Sequence, residues 1–224
     1  MPVRYDLHLH TFHSPDSLSS YASIIERVQQ RGLTGIAVTD HNTMRGAFGL
    51  AEIAPFPVIL AEEIRTVEGE IIGYFLQEEV PLGLGLEETI ARVHEQGGIV
   101  AVPHPVDRVR SSSAIGEEAL LRVMDQVDLI EGYNARCIYA VDNRRAQELA
   151  GRYSKPMTAG SDAHAPWEIG RSFVELEAFD GPEEFIANLR SARLNRKGRG
   201  GWVSVFSIFA KVAKKTGLDR WIQY

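Results

Sequence analysis

The sequence predicts an α/β fold, a barrel of repeated β-α units, on three observations. Short apolar, β-branched runs alternate with longer stretches of helical period, the pattern of a parallel sheet joined by crossover helices. Most of these runs end on a histidine or a carboxylate. At 224 residues, 44% hydrophobic and 24% charged, the chain can bury a full core without disulfides.

The strands are predicted at Arg4–Leu9, Gly35–Thr39, Val58–Ile64, Ile71–Leu76, Ile99–Val102, Leu129–Tyr133 and Met157–Ala159, with a further one at Phe173–Leu176. That makes seven or so units. Ser20 is a predicted N-cap for a helix that turns Ile24, Ile25 and Val28 inward and stops at Gly32, whose missing Cβ suits a left-handed cap. Further helices are expected at Glu87–Gln96, Glu117–Val127, Val141–Tyr153 and Pro182–Ala192. The link Val67-Glu68-Gly69 is too short for a crossover, so the strands around it form a hairpin. The barrel is expected over residues 1–194. Residues 195–224 are expected to form a basic, aromatic tail, with Arg196–Gly201 linking to a last helix at Trp202–Thr216 packed on the barrel or extending from it.

Composition narrows the chemistry. No stretch of about 18 apolar residues is present to span a membrane, and a strand-like segment at the N-terminus in place of a secretory signal leads to an expected cytoplasmic location. The single Cys137 supplies neither an internal disulfide nor a thiolate cluster, so any metal rests on nitrogen and oxygen ligands. The net charge is −6. Seven basic residues and one acid after residue 194 leave −12 on the body and +6 on the tail. An acidic body argues against stable nucleic-acid binding and suits a cation site.

In order, the polar residues at the strand ends are His8 and His10, Asp40 and His41, Glu62 and Glu63, His104, Asn134, then Asp162 and His164. In a parallel barrel the loops after the strand C-termini converge on one face, so these residues would meet. The two-residue period of a strand turns both imidazoles of His8-x-His10 to one side, where two nitrogens reach one cation. Asp162-x-His164 repeats that spacing with a carboxylate. Pro103 and Pro105 fix the backbone on both sides of His104. Strand parity at the end of Val58–Ile64 leaves Glu62 and Glu63 as alternatives. The set exceeds the three or four ligands of a single zinc, which implies two or three metal ions. Two cations sharing a water would lower its pKa and neutralise phosphate oxygens, and the resulting hydroxide would attack phosphorus in line.

The stretches Asp6-Leu7-His8-Leu9-His10-Thr11 with Asp16, Thr39-Asp40-His41-Asn42, Glu62-Glu63-Ile64, Pro103-His104-Pro105, Glu131-Gly132-Tyr133-Asn134-Ala135-Arg136 and Gly160-Ser161-Asp162-Ala163-His164 follow one another along most of the chain. In this the sequence resembles the polymerase and histidinol phosphatase, or PHP, domain family. The resemblance implies a distorted seven-stranded β/α barrel with a two- or three-metal centre (zinc, manganese or iron) at the strand C-terminal face, hydrolysing phosphate esters. By position, one ion would take His8, His10, Glu63 and Asp162, with Glu63 bridging to a second ion on His104. A third would take Asp16, His41 and His164. Asp16 stands where some members carry histidine. Asn134 lies where some place a further histidine on the second ion, so that site would bind weakly or keep an additional water.

The catalytic candidates are His164, His41 and Asp162, with a proton for the leaving oxygen coming from either histidine or from water. Arg136, Arg171 and Asn134 are the candidate substrate contacts. The expected substrate is a small phosphorylated metabolite, a nucleotide or a short oligonucleotide. Two rival classes are an amidohydrolase-like enzyme on the same metal centre and a non-catalytic PHP binding module. His13, His94, Arg108, Arg110 and Cys137 are read as side chains outside the site.

Overall fold

A computed structural model describes residues 2–196 and 214–215. Its strands are β1 (Val3–Leu9), β2 (Gly35–Val38), β3 (Val58–Thr66), β4 (Gly69–Tyr74), β5 (Ile99–Val102), β6 (Leu129–Asn134), β7 (Met157–Gly160), β8 (Ser172–Leu176) and β9 (Arg193–Arg196). The helices are α1 (Tyr21–Arg31), α2 (Arg45–Ile53), α3 (Leu86–Glu95), α4 (Gly116–Arg122), α5 (Ala140–Arg152) and α6 (Gly181–Leu189). One sheet holds all nine strands in the order β7-β6-β5-β4-β3-β2-β1-β8-β9.

The strands β1-β2-β3 and β5-β6-β7 are parallel sets, and β4 lies antiparallel between them. This is the hairpin expected at Val67-Glu68-Gly69. A parallel β4 would need a crossover of a dozen or more residues, whereas the chain provides only a tight turn at Val67 and Glu68. The sheet nearly closes where β1 meets β7. Leu9 and Ala163 form a parallel bridge, Asp162 N donates to His8 O (2.7 Å), and His10 N donates to Ala163 O (2.9 Å). Gly160 permits this approach, because a Cβ there would lie 2.2 Å from His8 Cβ and 2.9 Å from His8 N.

One apolar cluster takes side chains from β1 through β8, including Leu7, Ala37, Ala61, Ile72, Ala101, Leu129, Ala159 and Val174, as only the interior of a rolled sheet can. Phe185 and Leu189 of α6 belong to the same cluster, and each such fully buried apolar side chain contributes about 1.5–3 kcal/mol. Two further clusters pack helices on the outside, α3, α4 and α5 in one, α1 and α2 in the other.

The expected ends of α1 are present. Ser20 Oγ accepts from Ser23 N at 3.3 Å, and Gly32 is left-handed at φ 63°. Helix α2 is absent from the sequence reading. It contains Gly46 and Gly49 and has no side-chain N-cap, so propensity and capping signals are both weak. Its packing requires the first of these glycines: a Cβ at Gly46 would fall 1.9 Å from Asp40 Oδ2 and 2.3 Å from Thr11 Oγ1. Helix α4 stops at Arg122 rather than Val127, and α6 at Leu189 rather than Ala192. Strand β9 is likewise unforeseen. It pairs Asn195 with Phe173 and Arg196 with Ser172, so the boundary drawn between residues 194 and 195 falls inside a strand. The helix expected at Trp202–Thr216 lies outside the described residues except for Lys214 and Lys215, which are helical. Among the described residues, no helix is long and apolar enough to cross a membrane.

Candidate metal centre

The parallel strands deliver their C-terminal ends to one face, and the strand-end residues meet there. His8 and His10 leave β1 fully buried, with ring centroids 5.3 Å apart. His41 follows β2 and is bridged to Glu63 of β3, whose N–H donates to Asp40 O (3.2 Å). His104 and Asp162 follow β5 and β7 with φ of 30° and 53°. Such backbone costs about 1–3 kcal/mol per residue and persists where the surroundings over-determine it. At His104 the backbone is held by its N–H donating to Glu131 Oε2 (2.7 Å) and its carbonyl accepting from Asp107 N (3.1 Å).

Glu63 is central. Its Oε2 lies 3.4 Å from His8 Nε2, 3.4 Å from His10 Nε2 and 3.1 Å from His41 Nδ1, while Oε1 lies 3.1 Å from His104 Nε2. Asp162 Oδ1 faces His10 Nε2 and His164 Nδ1, both at 3.4 Å, and His8 Nε2 at 3.7 Å. Asp16 Oδ1 lies 3.3 Å from His164 Nε2 and 3.6 Å from His41 Nε2. Glu62, the alternative left open by strand parity, turns away and accepts from Val80 N at 2.9 Å.

A surrounding layer of hydrogen bonds orients the rings. Glu131 Oε1 takes the Nδ1 side of His8 (3.0 Å), and its Oε2 accepts from His104 N (2.7 Å) and Asn134 Nδ2 (2.9 Å). Ser14 Oγ donates to Asp40 Oδ1 (2.8 Å) and accepts from His41 N (3.0 Å), so its remaining lone pair takes a proton from His10 Nδ1 (3.0 Å). Both Nε2 atoms of the His8-x-His10 pair are thereby turned to the cluster, as imidazole ligands usually are.

The residues fit divalent cations. His8 Nε2, His10 Nε2 and His104 Nδ1 are buried without hydrogen-bond partners, although buried polar atoms are nearly always paired. Three donors come within 4.8 Å of one another in His8/His10/Glu63, His8/His104/Asp162, His10/His41/His164 and His41/Glu63/Glu70. Burial opposes charge throughout, yet His8 and Arg110 hold Asp162 well below the carboxylate range, and His8 and His41 do the same for Glu63. Burial together with His164 and His41 pushes His10 down to about 3, and burial with Arg136 lowers His164. Neutral imidazoles beside ionised carboxylates are the state that nitrogen–oxygen metal sites require. His8, raised well above its ordinary value by Asp162, Glu63 and Glu131 against the effect of burial, holds a proton that a cation would displace.

A cleft of about 390 Å³ opens on the cluster. Arg136 lines it, with its guanidinium against His164 Nδ1. Asn134 is turned to the protein. Its Nδ2 donates to Glu131 and to Asp162 Oδ2 (3.1 Å), and its Oδ1 accepts from Arg136 N (2.9 Å) and Arg110 Nη2 (3.2 Å). Arg171 does not line the cleft and lies 4.0 Å from Glu168 Oε1. His13 pairs with Tyr21 Oη (3.0 Å), His94 with Asp128 (2.9 Å) and Arg108 with Asp142 (2.8 Å). Cys137 is buried, which pushes its thiol up and leaves it unreactive.

Three groups escaped the sequence reading. Glu70 on β4 brings a carboxylate within 4.0 Å of His41 Nδ1, and burial and Glu63 raise it. It starts the antiparallel strand, so a search confined to the C-terminal ends of parallel strands passes over it. Arg110, expected to face water, turns into the cleft and binds Asp162 Oδ2. Ser14 carries no signal beyond its place between His10 and Asp16.

Fold and cluster together define a β/α-barrel protein with a candidate multi-metal centre at the strand C-termini. A family model described as "PHP domain" matches residues 6–160, and one described as "PHP-associated" matches residues 141–194. The chain belongs to the PHP domain family. An uncharacterized protein of Methanocaldococcus jannaschii is 33% identical over 84% of this chain and 79% of its own length. A two-domain protein from Bacteroides vulgatus, containing a predicted PHP-like metal-dependent phosphoesterase, aligns with a TM-score of 0.72 at 19% identity, over 88% of this chain and 65% of that one. An amidohydrolase from Chromobacterium violaceum with bound sulfate aligns with a TM-score of 0.62 at 16% identity, over 86% of this chain and 97% of that one.

Proposed function

We propose that the protein is a metal-dependent phosphoesterase acting on a small phosphorylated molecule, such as a metabolite, a nucleotide or a short oligonucleotide. The observation that carries this reading is the buried cluster of unpartnered His8 and His10 nitrogens around Glu63 and Asp162, opening on a cleft lined by arginines. His8, His10, Glu63 and Asp162 would hold one ion, Glu63 and His104 a second, and Asp16, His41 and His164 a third, with Glu70 beside His41. Bound there, the ions supply a water of lowered pKa and neutralise phosphate oxygens.

The chain's own groups do the rest. Glu131 and Ser14 hold the ring orientations, Arg136 faces the substrate, and Asp162 joins the ligand set to the cleft wall. His41, at 17% the most exposed histidine of the cluster, is raised by Glu63 and Asp16 against the effect of burial. We assign it the proton for the leaving oxygen when the third site is empty.

The test is to purify the protein, measure its transition metal, and assay an aryl phosphate beside an amide substrate before and after chelation. Phosphate turnover lost on chelation and regained with zinc, manganese or iron is expected. Full activity in metal-free protein, or amide turnover without phosphate turnover, contradicts the proposal. His41→Gln should slow alkyl phosphates more than aryl ones, and equal slowing removes its role as acid.

A further inference from the structure

We propose that Arg110 forms the anion-gripping subsite of the cleft and that it binds phosphate only once the cluster holds divalent ions. This rests on the phosphoesterase reading. Arg110 stands on the loop after β5, and its Nε donates to Asp107 Oδ2 (2.9 Å). Its Nη1 meets Asp162 Oδ2 and its Nη2 lies 3.2 Å from Asn134 Oδ1. The guanidinium is thus fixed at three points beside the histidines, with its side chain 27% exposed along the cleft. Ser112 and Ser113 of the same loop line the cleft next to it.

Charge decides when this arginine is available. Asp16, Glu63, Glu70, Asp107 and Asp162 line the cleft against Arg65, Arg110 and Arg136, a net −2 before any proton on His41 or the neighbouring His8 is counted. Even with both of those protons the balance is not positive, so it offers a phosphate dianion no net attraction. Two divalent ions reverse it to about +2, which matches the dianion. Asp162 is shared: Oδ1 faces the histidines and Oδ2 faces Arg110. With Asp162 among the residues that would hold a cation, its carboxylate would keep a weaker hold on the guanidinium. Arg110 stays oriented by Asp107 and presents N–H donors in the fork geometry that suits phosphate oxygens.

The probe is inorganic phosphate, titrated calorimetrically into metal-free and metal-loaded protein, with metal content measured alongside. Metal-loaded wild type should bind phosphate and the metal-free form should not. Arg110→Gln should weaken binding at least ~10-fold with bound metal unchanged, and Arg110→Lys, which keeps the charge but loses the fork, should fall between. Should the glutamine variant not fold, the lysine variant decides. Unchanged phosphate affinity in the folded variants overturns the proposal, as does metal loss with no change in phosphate affinity per loaded site, which makes Arg110 a positioning residue for Asp162. Phosphate binding by metal-free wild type overturns the charge argument. Failure of loaded wild type to bind phosphate or hydrolyse an aryl phosphate refutes the functional reading itself.

Discussion

Replacing Ser14 by alanine removes one oxygen that serves three neighbours: Asp40, the backbone of His41 and the ring of His10. The bond to the Asp40 carboxylate contributes about 1.5–3 kcal/mol, and each buried N–H left without a partner costs about 1–3 kcal/mol. Part of this is recovered if water enters the space, so Ser14→Ala should lose about 3–5 kcal/mol of stability in the metal-free protein. A second effect concerns the ring. With its Nδ1 proton no longer held, His10 is free to change tautomer and turn Nε2 from the cluster, and losses of this kind lower metal affinity about 10–100-fold. Urea unfolding of the metal-free variant measures the first effect, and competition with a chelator measures the second. A stability loss under about 1 kcal/mol, or an unchanged metal affinity, would refute the reasoning.

Two other predictions test the surroundings of the site. Burial raises the Glu62 carboxyl to about 7 from its ordinary 4.5, so the folded protein binds this proton more tightly than the unfolded chain. Its stabilising contribution is complete below pH 4.5 and is lost as pH rises through 7. The stability of Glu62→Gln relative to wild type should therefore improve by about 3 kcal/mol between those values, and a pH-independent difference counts against it. Gly160→Ala places a Cβ against backbone atoms of His8 that no rotamer change can move, so β7 must part from β1. A loss of at least about 2–3 kcal/mol is expected in chemical denaturation, and one under about 0.5 kcal/mol contradicts the proposed closeness of that seam.

Much of this architecture is legible in the sequence because the signals are local and repeated. The β-branched runs, the Ser20 and Gly32 caps and the short link before Gly69 each act within a few residues, and the structure has the corresponding strands, helix ends and hairpin. The convergence of His8, His10, His41, Glu63, His104, Asp162 and His164 follows from parallel strands that deliver their C-terminal ends to one face. What stayed hidden depends on tertiary contact. Helix α2 is stabilised by packing on Thr11 and Asp40 despite two glycines, and β9 has only Leu194 as an apolar residue among its four. Arg110 looks like a loop arginine until Asp107 and Asp162 draw it inward. Glu70 is reached through a hairpin, where the rule for parallel strands gives no guidance. Asn134 and Arg171 have the expected residue types at strand ends, but protein contacts occupy the first and the second lies away from the cleft.

The seam between β1 and β7 ties the beginning of the fold to its end. Asp6 accepts from Ser161 N across a separation of 155 positions, and the bonds beside it join the segments that carry His8, His10, Asp162 and His164. No partial barrel assembles that donor set, since half of it arrives with the last parallel strand. An ion gathering ligands from both sides would act as a clasp on a long closed loop. At a thousand times its dissociation constant, it adds about 4 kcal/mol to the stability of the closed form. Metal supply and the stability of the folded chain would then be linked, and scarcity of the ion would loosen the barrel at the seam between its first and last parallel strands.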